Sequence, residues 1–322
     1  MADMVRWGIL STANIGKARV IPAMQQASNG KVVAVASRSL DKAKEFAAEL
    51  GIPIAYGSYE ELIASPEVDA IYIPVPNSEH APWSILCAEA GKPTLCEKPL
   101  ARNAVEAQRM VDTFAEKGVL FAEAFMYRFH PQTVRVKELV DKGTIGEIKA
   151  MSASFTFPIR EEDNIRLSKP LVGGSLMDVG CYCINVMRLM TGAEPVEAQA
   201  LRVVGKESQV DESLAGVLKF PGGVLGHFDS SLRTHFTHTY EIRGTRGRIE
   251  VDQGFVMPKD GETSIRVWQD HHFSEIWIEP ANSYTLMAED FADALINNRP
   301  PRFAPQDAVA NMQVIDMLNA GI

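Results

Sequence analysis

The sequence predicts an α/β protein: a doubly wound parallel sheet in the N-terminal third, followed by an α+β half built on a large, mainly antiparallel open sheet. Three observations carry that prediction. The first third alternates short apolar runs with amphipathic stretches, the pattern of βαβ units. Beyond residue 148, runs of period-2 alternation are separated by turn signals such as Pro221-Gly222-Gly223 and Asp260-Gly261, the pattern of antiparallel strands. A length of 322 residues fits two domains better than one core. The division falls at 124/125, giving a nucleotide-binding domain over 1–124 and a substrate-binding and dimerisation domain over 125–322.

Taken in order, the predicted parallel strands are Arg6 to Leu10, Lys31 to Ala36, Ala70 to Pro74, Thr94 to Cys96 and Val119 to Ala122. Predicted helices lie between them at Ile15 to Gln26, Leu40 to Leu50, Tyr59 to Ser65, His80 to Ala90 and Ala104 to Lys117. Asp41 and Ser58 have the side chains of start caps, and Gly51, Gly91 and Gly118 stand where helices stop. A helix from Pro131 to Asp141 opens the second half, followed by a strand over Ile148 to Phe157 and a helix over Gly173 to Met190. Strands are then predicted at Val196 to Val204, Leu214 to Phe220, Val224 to Ser231, His238 to Gly244, Gly247 to Val251, Ser264 to Gln269 and Glu275 to Glu279. Tyr284 to Asn297 and Pro305 to Asn319 return to helical spacing.

After the first strand, Ser11-Thr12-Ala13-Asn14-Ile15-Gly16 occupies the place of a Gly-x-Gly-x-x-Gly dinucleotide loop with only the last glycine kept. Small residues there let the amides at a helix N-terminus approach a pyrophosphate. The second strand ends Ser37-Arg38, with no acidic residue to bond a ribose 2′-hydroxyl. Ser37 and Arg38 suit a 2′-phosphate instead, so the expected cofactor is NADP(H). The third of the predicted strands opens on Pro74-Val75-Pro76-Asn77-Ser78-Glu79-His80. Pro76 and Asn77 stand at the cofactor side of this loop. Asn77 also has the side chain of a helix cap, and His80 is either a satisfied structural histidine or a lining residue of the cofactor site. The fourth leads into Glu97-Lys98-Pro99, where open α/β sheets bind ligands and where proline stiffens the backbone behind an ammonium group.

Asp178 and Tyr182, four apart on a predicted helix, share one face. A phenol titrating near 10 is a poor base at neutral pH until a cation such as Lys98 stabilises its phenolate. Phe125 to Pro131 has a core composition with one exception, Arg128.

Composition narrows the function. A formal net charge of -9 opposes a nucleic-acid partner, and no uninterrupted apolar stretch approaches the roughly 18 residues of a membrane span. No signal peptide precedes the first strand, so a cytoplasmic location is expected. The four cysteines are expected to be reduced and partly buried. The histidine pairs His235/His238 and His271/His272 lack the carboxylates and spacing of a metal site, so no metal is expected and exposure at strand edges is.

The loop at Ser11, Glu97-Lys98-Pro99, the stretch Glu123-Ala124-Phe125-Met126-Tyr127-Arg128-Phe129-His130-Pro131 and Asp178-Val179-Gly180-Cys181-Tyr182 occur together in an order that resembles the Gfo/Idh/MocA oxidoreductases. The resemblance spans nearly the whole chain. It is strongest to the branch of dimeric dihydrodiol dehydrogenases, NADP-dependent xylose dehydrogenases and glucose-fructose oxidoreductase. It implies a Rossmann domain, a C-terminal domain whose open sheet forms a homodimer or homotetramer, and a Lys98 that touches both the nicotinamide ribose and the substrate hydroxyl. Asp178 and Tyr182 match the family's Asp-x-Gly-x-His/Tyr pattern. Arg166 stands where relatives place an arginine near the cofactor, although Ile165 replaces a common tryptophan, and Glu97 falls within the cofactor-binding motif.

The combined expectation is hydride transfer between NADP and a carbinol or carbonyl carbon of a sugar or cyclic vicinal diol. Tyr182 exchanges the proton, Lys98 assists it, Asp178 orients substrate hydroxyls and Arg128 contacts substrate. The alternative is a non-catalytic NADP-sensing regulator that binds a protein partner. A complete set of Lys98, Asp178 and Tyr182 weighs against it, because a sensor need not retain a proton-transfer group.

Overall fold

The short apolar runs of the first third become one parallel sheet because both of its faces are covered. In the computed structural model, which describes residues 4–320, β1 (Val5–Leu10), β2 (Gly30–Ala36), β3 (Ile54–Tyr56), β4 (Ala70–Ile73), β5 (Thr94–Cys96) and β6 (Phe121–Glu123) pair in the order β3-β2-β1-β4-β5-β6. That is the doubly wound Rossmann order, with its switch point between β1 and β4. Every residue of β4 and β5 is buried, which explains why these strands are continuous apolar runs without alternation.

The helices between the strands are α1 (Ile21–Gln26), α2 (Leu40–Leu50), α3 (Tyr59–Ala64), α4 (His80–Glu89) and α5 (Ala104–Lys117). Ser58 caps α3 by accepting from the Glu61 amide, and Gly51 and Gly118 end α2 and α5 in the left-handed conformation. The cap of α2 is Ser39, which accepts from the Lys42 amide; Asp41 lies two residues too late, inside the first turn, and serves only as a favourable charge near the N-terminus. β3, missing from the predicted strands, is a three-residue edge strand paired to β2.

The first compact unit does not end at residue 124. It runs to Met126 and also takes in Tyr284–Val309, half of it α8 (Ser283–Ile296). Phe291 packs on the buried Trp7 with ring centroids 5.3 Å apart, and Glu289 accepts from both the amide and the hydroxyl of Ser28 at 2.8 Å. Full burial of side chains this large contributes roughly 1.5–3 kcal/mol each, enough to attach the returning segment to the N-terminal sheet.

The second unit comprises Tyr127–Ser283 and the chain from Ala310 onward. Its strands are β7 (Ile148–Thr156), β8 (Glu197–Val204), β9 (Asp211–Lys219), β10 (Leu225–Ser231), β11 (Thr237–Gly244), β12 (Gly247–Val251), β13 (Thr263–Gln269) and β14 (His272–Ile278). They form one sheet in the order β14-β13-β12-β11-β7-β10-β9-β8, antiparallel except for the β7–β10 pair. Alternation sorts its faces. Met151, Phe155, Leu218, Phe228, Ile242 and Val267 are buried on one side, whereas Leu201 (82% exposed), Val203 (66%) and Trp277 (62%) stand open on the other.

The buried face is covered by α7 (Cys181–Thr191), with α6 (Pro131–Asp141) nearby and α9 (Pro305–Ala320) closing the chain. The stretch Lys169–Thr191 is long and apolar enough to cross a membrane by composition, but it is mostly buried inside the protein, as in a core helix. None of the four cysteines is in a disulfide, and all four are buried.

Candidate active site

In the first unit, the sequence-predicted residues collect on loops leaving the carboxyl ends of β1, β2, β4 and β5. Ser11, directly after β1, has φ of +147°, a conformation natural to glycine, so the backbone takes the glycine geometry of a dinucleotide loop although the side chain is serine. Such strain costs on the order of 1–3 kcal/mol. The Ser11 hydroxyl donates to the Pro74 carbonyl at 3.3 Å and accepts from the Ala13 amide at 3.3 Å, tying the loop after β1 to the loop after β4. Thr12, Ala13, Asn14 and Ile15 remain partly open at the mouth of the helix. That helix begins with a π-helical turn, Gly16–Val20, in which the Ile21 amide reaches back to the Gly16 carbonyl. The retained glycine is not forced by space, because a Cβ on Gly16 would meet Ile21 at an ordinary 3.6 Å.

Ser37 is buried at the end of β2, and Arg38 beyond it is exposed, within electrostatic reach of the Tyr59 hydroxyl. On the loop after β4, Asn77 opens a 3-10 turn rather than capping α4, whose N-cap position falls on Glu79. His80 is wholly buried. One ring nitrogen lies 2.9 Å from the Pro99 carbonyl and the other 3.0 Å from the Val75 carbonyl, so the ring sits between the loops after β4 and β5, and the neutral imidazole donates its single N–H to one of the two carbonyls. Its place between two carbonyls fits the structural reading of this histidine. Burial pushes its pKa from 6.5 down to about 4, against the pull of the carbonyls toward the charged ring.

The loop after β5 carries Glu97, Lys98 and a cis Lys98-Pro99 bond. The Tyr72 hydroxyl donates to Glu97 Oε1 at 2.6 Å, and the Lys98 amide donates to Glu97 Oε2 at 3.3 Å.

In the second unit, Asp178 lies in another π-helical turn, Leu176–Gly180, where the Cys181 amide reaches the Leu176 carbonyl. Wide turns of this kind occur frequently at functional sites. The turn continues into α7, so Asp178 and Tyr182 ride on one helix. Arg166 Nε donates to Asp178 Oδ2 at 2.7 Å, so the arginine placed near the cofactor by resemblance is paired with the candidate aspartate. Tyr182 is 5% exposed, its ring among those of Phe155, Phe255 and Tyr127 at centroid distances of 5.2, 5.6 and 5.8 Å. Arg128 is buried at 4% exposure, and Tyr127 beside it donates to Asn185 at 2.7 Å.

Two supporting residues escape sequence reasoning. Asp211, from β9, accepts from the Leu176 amide at 2.7 Å and from the Ser175 hydroxyl at 2.8 Å, capping the helix that carries Asp178 and Tyr182. Burial raises its pKa, partly offset by those two bonds. The other is Tyr72, whose only sequence signal is a phenol inside a wholly buried strand. His238 departs from the expected strand-edge exposure: it is buried, and its Nδ1 accepts from the Phe255 and Val256 amides at 3.4 Å. Among the described residues, no group of His, Cys, Asp or Glu is placed to hold a metal ion.

These buried rings make the protein acid-sensitive. His80, His130 and His238 are each pushed down to about 4 by burial, so between pH 6.5 and 4 the unfolded chain binds protons that the folded chain does not. Stability therefore falls as pH falls through that window, by on the order of 3 kcal/mol per fully buried ring at its acid end. Urea midpoints are expected to drop steeply from pH 6.5 to 4.5, and a flat profile down to pH 5 would refute the account.

Residues 5–125 match the family model described as oxidoreductase family, NAD-binding Rossmann fold, and residues 133–250 match the GFO/IDH/MocA C-terminal domain. The chain is 39% identical to D-xylose 1-dehydrogenase (NADP(+)) 2 of Haloferax volcanii, over 97% of this chain and 95% of that protein. It is 36% identical to trans-1,2-dihydrobenzene-1,2-diol dehydrogenase of Mus musculus, over 77% and 75% respectively. Among solved structures it resembles a tyrosine-to-phenylalanine variant of KijD10, a 3-ketoreductase from Actinomadura kijaniata in complex with TDP-benzene and NADP. That match has a TM-score of 0.93 at 30% identity, covering 99% of this chain and 98% of the other. Variants of KijD10 with one lysine replaced by alanine or by glutamate match with a TM-score of 0.88.

Proposed function

The chain belongs to the Gfo/Idh/MocA oxidoreductase family, and from that membership we propose that it transfers hydride between NADP and a carbinol or carbonyl carbon of an aldose or cyclic vicinal diol. The observation that carries the reading is the Glu97-Lys98-Pro99 loop, fixed at the carboxyl end of β5 in the same sheet as the glycine-like turn at Ser11. The identity to an NADP-dependent D-xylose dehydrogenase supports the substrate class, as does the 30% identity to a dTDP-3,4-didehydro-2,6-dideoxy-alpha-D-glucose 3-reductase of Actinomadura kijaniata.

Ser11 to Ile15 offer a helix N-terminus to the pyrophosphate, and Ser37 and Arg38 offer a hydroxyl and a guanidinium to the 2′-phosphate. Bound NADP supplies the hydride acceptor or donor at its nicotinamide ring. In the oxidative direction the carbinol carbon loses a hydride while its hydroxyl proton passes to the phenolic oxygen of Tyr182, leaving a carbonyl. Lys98 holds the reacting oxygen, and Asp178, kept in place by Arg166, accepts hydrogen bonds from substrate hydroxyls. In the reductive direction each transfer reverses. The replaced lysine and tyrosine of KijD10 are of the same residue types as Lys98 and Tyr182.

The test is a panel of aldoses, cyclitols and vicinal diols with NADP and with NAD, following reduced nicotinamide optically. Turnover of an aldose such as D-xylose with a preference for NADP is the expected result. Tight NADP binding with no turnover of any member would favour a sensor instead. Light scattering on the same preparation is expected to give a multiple of the 35.4 kDa chain mass, with the open face of the large sheet, including Leu201, Val203 and Trp277, joining the copies.

A further inference from the structure

We propose that Glu97 is a positioning residue for Lys98, braced by Tyr72, rather than a contact for the cofactor. The inference rests on the proposed role of Lys98 and explains the one member of the tripeptide that chemistry leaves unassigned.

β4 and β5 pair up to Ile73 and Cys96, and the Glu97 amide continues the ladder by donating to the Ile73 carbonyl at 3.1 Å. At this last rung the chain leaves the sheet. The Glu97 side chain turns back, so that Oε1 accepts from the Tyr72 hydroxyl at 2.6 Å and Oε2 accepts from the Lys98 amide at 3.3 Å. Tyr72 cannot shift: it is wholly buried in β4 and paired with Leu95. Its ionisation is opposed first by burial and then by the Glu97 charge, so the phenol stays a donor. Tyr284, half-buried, feels the same carboxylate. A carboxylate fixed by a phenol on one oxygen and spending the other on the next amide sets where the following side chain starts. On the far side, His80 holds the Pro99 carbonyl. Lys98 thus lies between two anchors, the geometry needed to hold an ammonium group within the narrow tolerance that productive sites require.

The two brace residues separate the hypotheses. Glu97→Gln keeps an acceptor for Tyr72 but turns an amide donor toward the Lys98 N–H. Tyr72→Phe removes one hydroxyl from a packed position and leaves Glu97 intact. Each is compared with wild type in three measurements: NADP affinity by calorimetry, kcat with NADP and D-xylose, and amide hydrogen exchange of the apoprotein. Both variants are expected to bind NADP within twofold of wild type, to lose tenfold or more in kcat, and to exchange the Lys98 amide faster while the amides of β4 and β5 stay protected. A tenfold loss of NADP affinity in Glu97→Gln, with Tyr72→Phe fully active, would make Glu97 a cofactor contact and overturn the proposal. Unchanged kcat and exchange in both variants would overturn it equally, and Tyr72→Phe decides the matter if Glu97→Gln does not fold. Lys98→Met separates the levels: full turnover in that variant sinks the reading of Lys98 itself, whereas a dead Lys98→Met beside an active Tyr72→Phe sinks only the brace.

Discussion

Lys98→Met is expected to yield a folded, NADP-binding protein whose turnover falls by roughly a thousandfold or more, the scale of losing a preorganised electrostatic group at a reacting oxygen. Methionine preserves the length and apolar stem of lysine and removes only the ammonium. The loop itself should survive, because its anchors are the Glu97 carboxylate on the Lys98 amide and the His80 ring on the Pro99 carbonyl, neither of which uses the lysine side chain. Melting temperature and NADP affinity should therefore stay close to wild type, with the loss confined to kcat and kcat/KM. If Lys98 merely anchored the loop, the variant would instead lose stability and NADP affinity together. Wild-type turnover would remove Lys98 from the mechanism.

The elements that sequence reasoning placed well are those whose signals are local. α2, α5, α6 and β5 match their expected ends because a serine or asparagine cap, a first-turn proline, a left-handed glycine or a bounded apolar run lies within a few residues of each boundary. β3 was invisible because three edge residues carry no period. The helices at Tyr284 to Asn297 and Pro305 to Asn319 are legible in the sequence, whereas the packing of Tyr284–Val309 with the first unit is not, since it depends on Phe291 meeting Trp7 and Glu289 meeting Ser28 across the length of the chain.

The same division runs through the candidate site. Ser11, Lys98, Asp178 and Tyr182 stand in motifs that can be read from spacing. What holds them is set by register: Tyr72 reaches Glu97 because β4 and β5 pair Tyr72 with Leu95, and Asp211 reaches Leu176 from a strand 35 residues on. No spacing rule encodes either contact. The Arg166–Asp178 pair is a similar case, because twelve residues of irregular chain bring the guanidinium back to the helix. Resemblance placed that arginine beside the cofactor. Its bond to Asp178 gives it a second duty, fixing one carboxylate oxygen of the aspartate on the helix.

Tyr182→Phe removes a single oxygen, and its expected effect is a kcat lower by about 10²–10⁴-fold, the range for loss of a positioned general acid or base. The side chain is 5% exposed and its ring lies among those of Phe155, Phe255 and Tyr127, so phenylalanine retains the packing. Stability should change little, because the aromatic contacts depend on the ring rather than the hydroxyl. Substrate KM should move far less than kcat, since the proposed proton transfer belongs to the transition state and not to ground-state binding. The pH profile separates this account from a structural one. If Tyr182 exchanges the proton, the limb of the kcat profile governed by that group disappears in the variant, and the residual rate becomes insensitive to pH across the range where wild type responds. A variant that keeps the wild-type profile at a uniformly reduced rate would show that another group exchanges the proton. Asp178 would then be the next candidate, being held by Arg166 on the adjoining turn of the same helix.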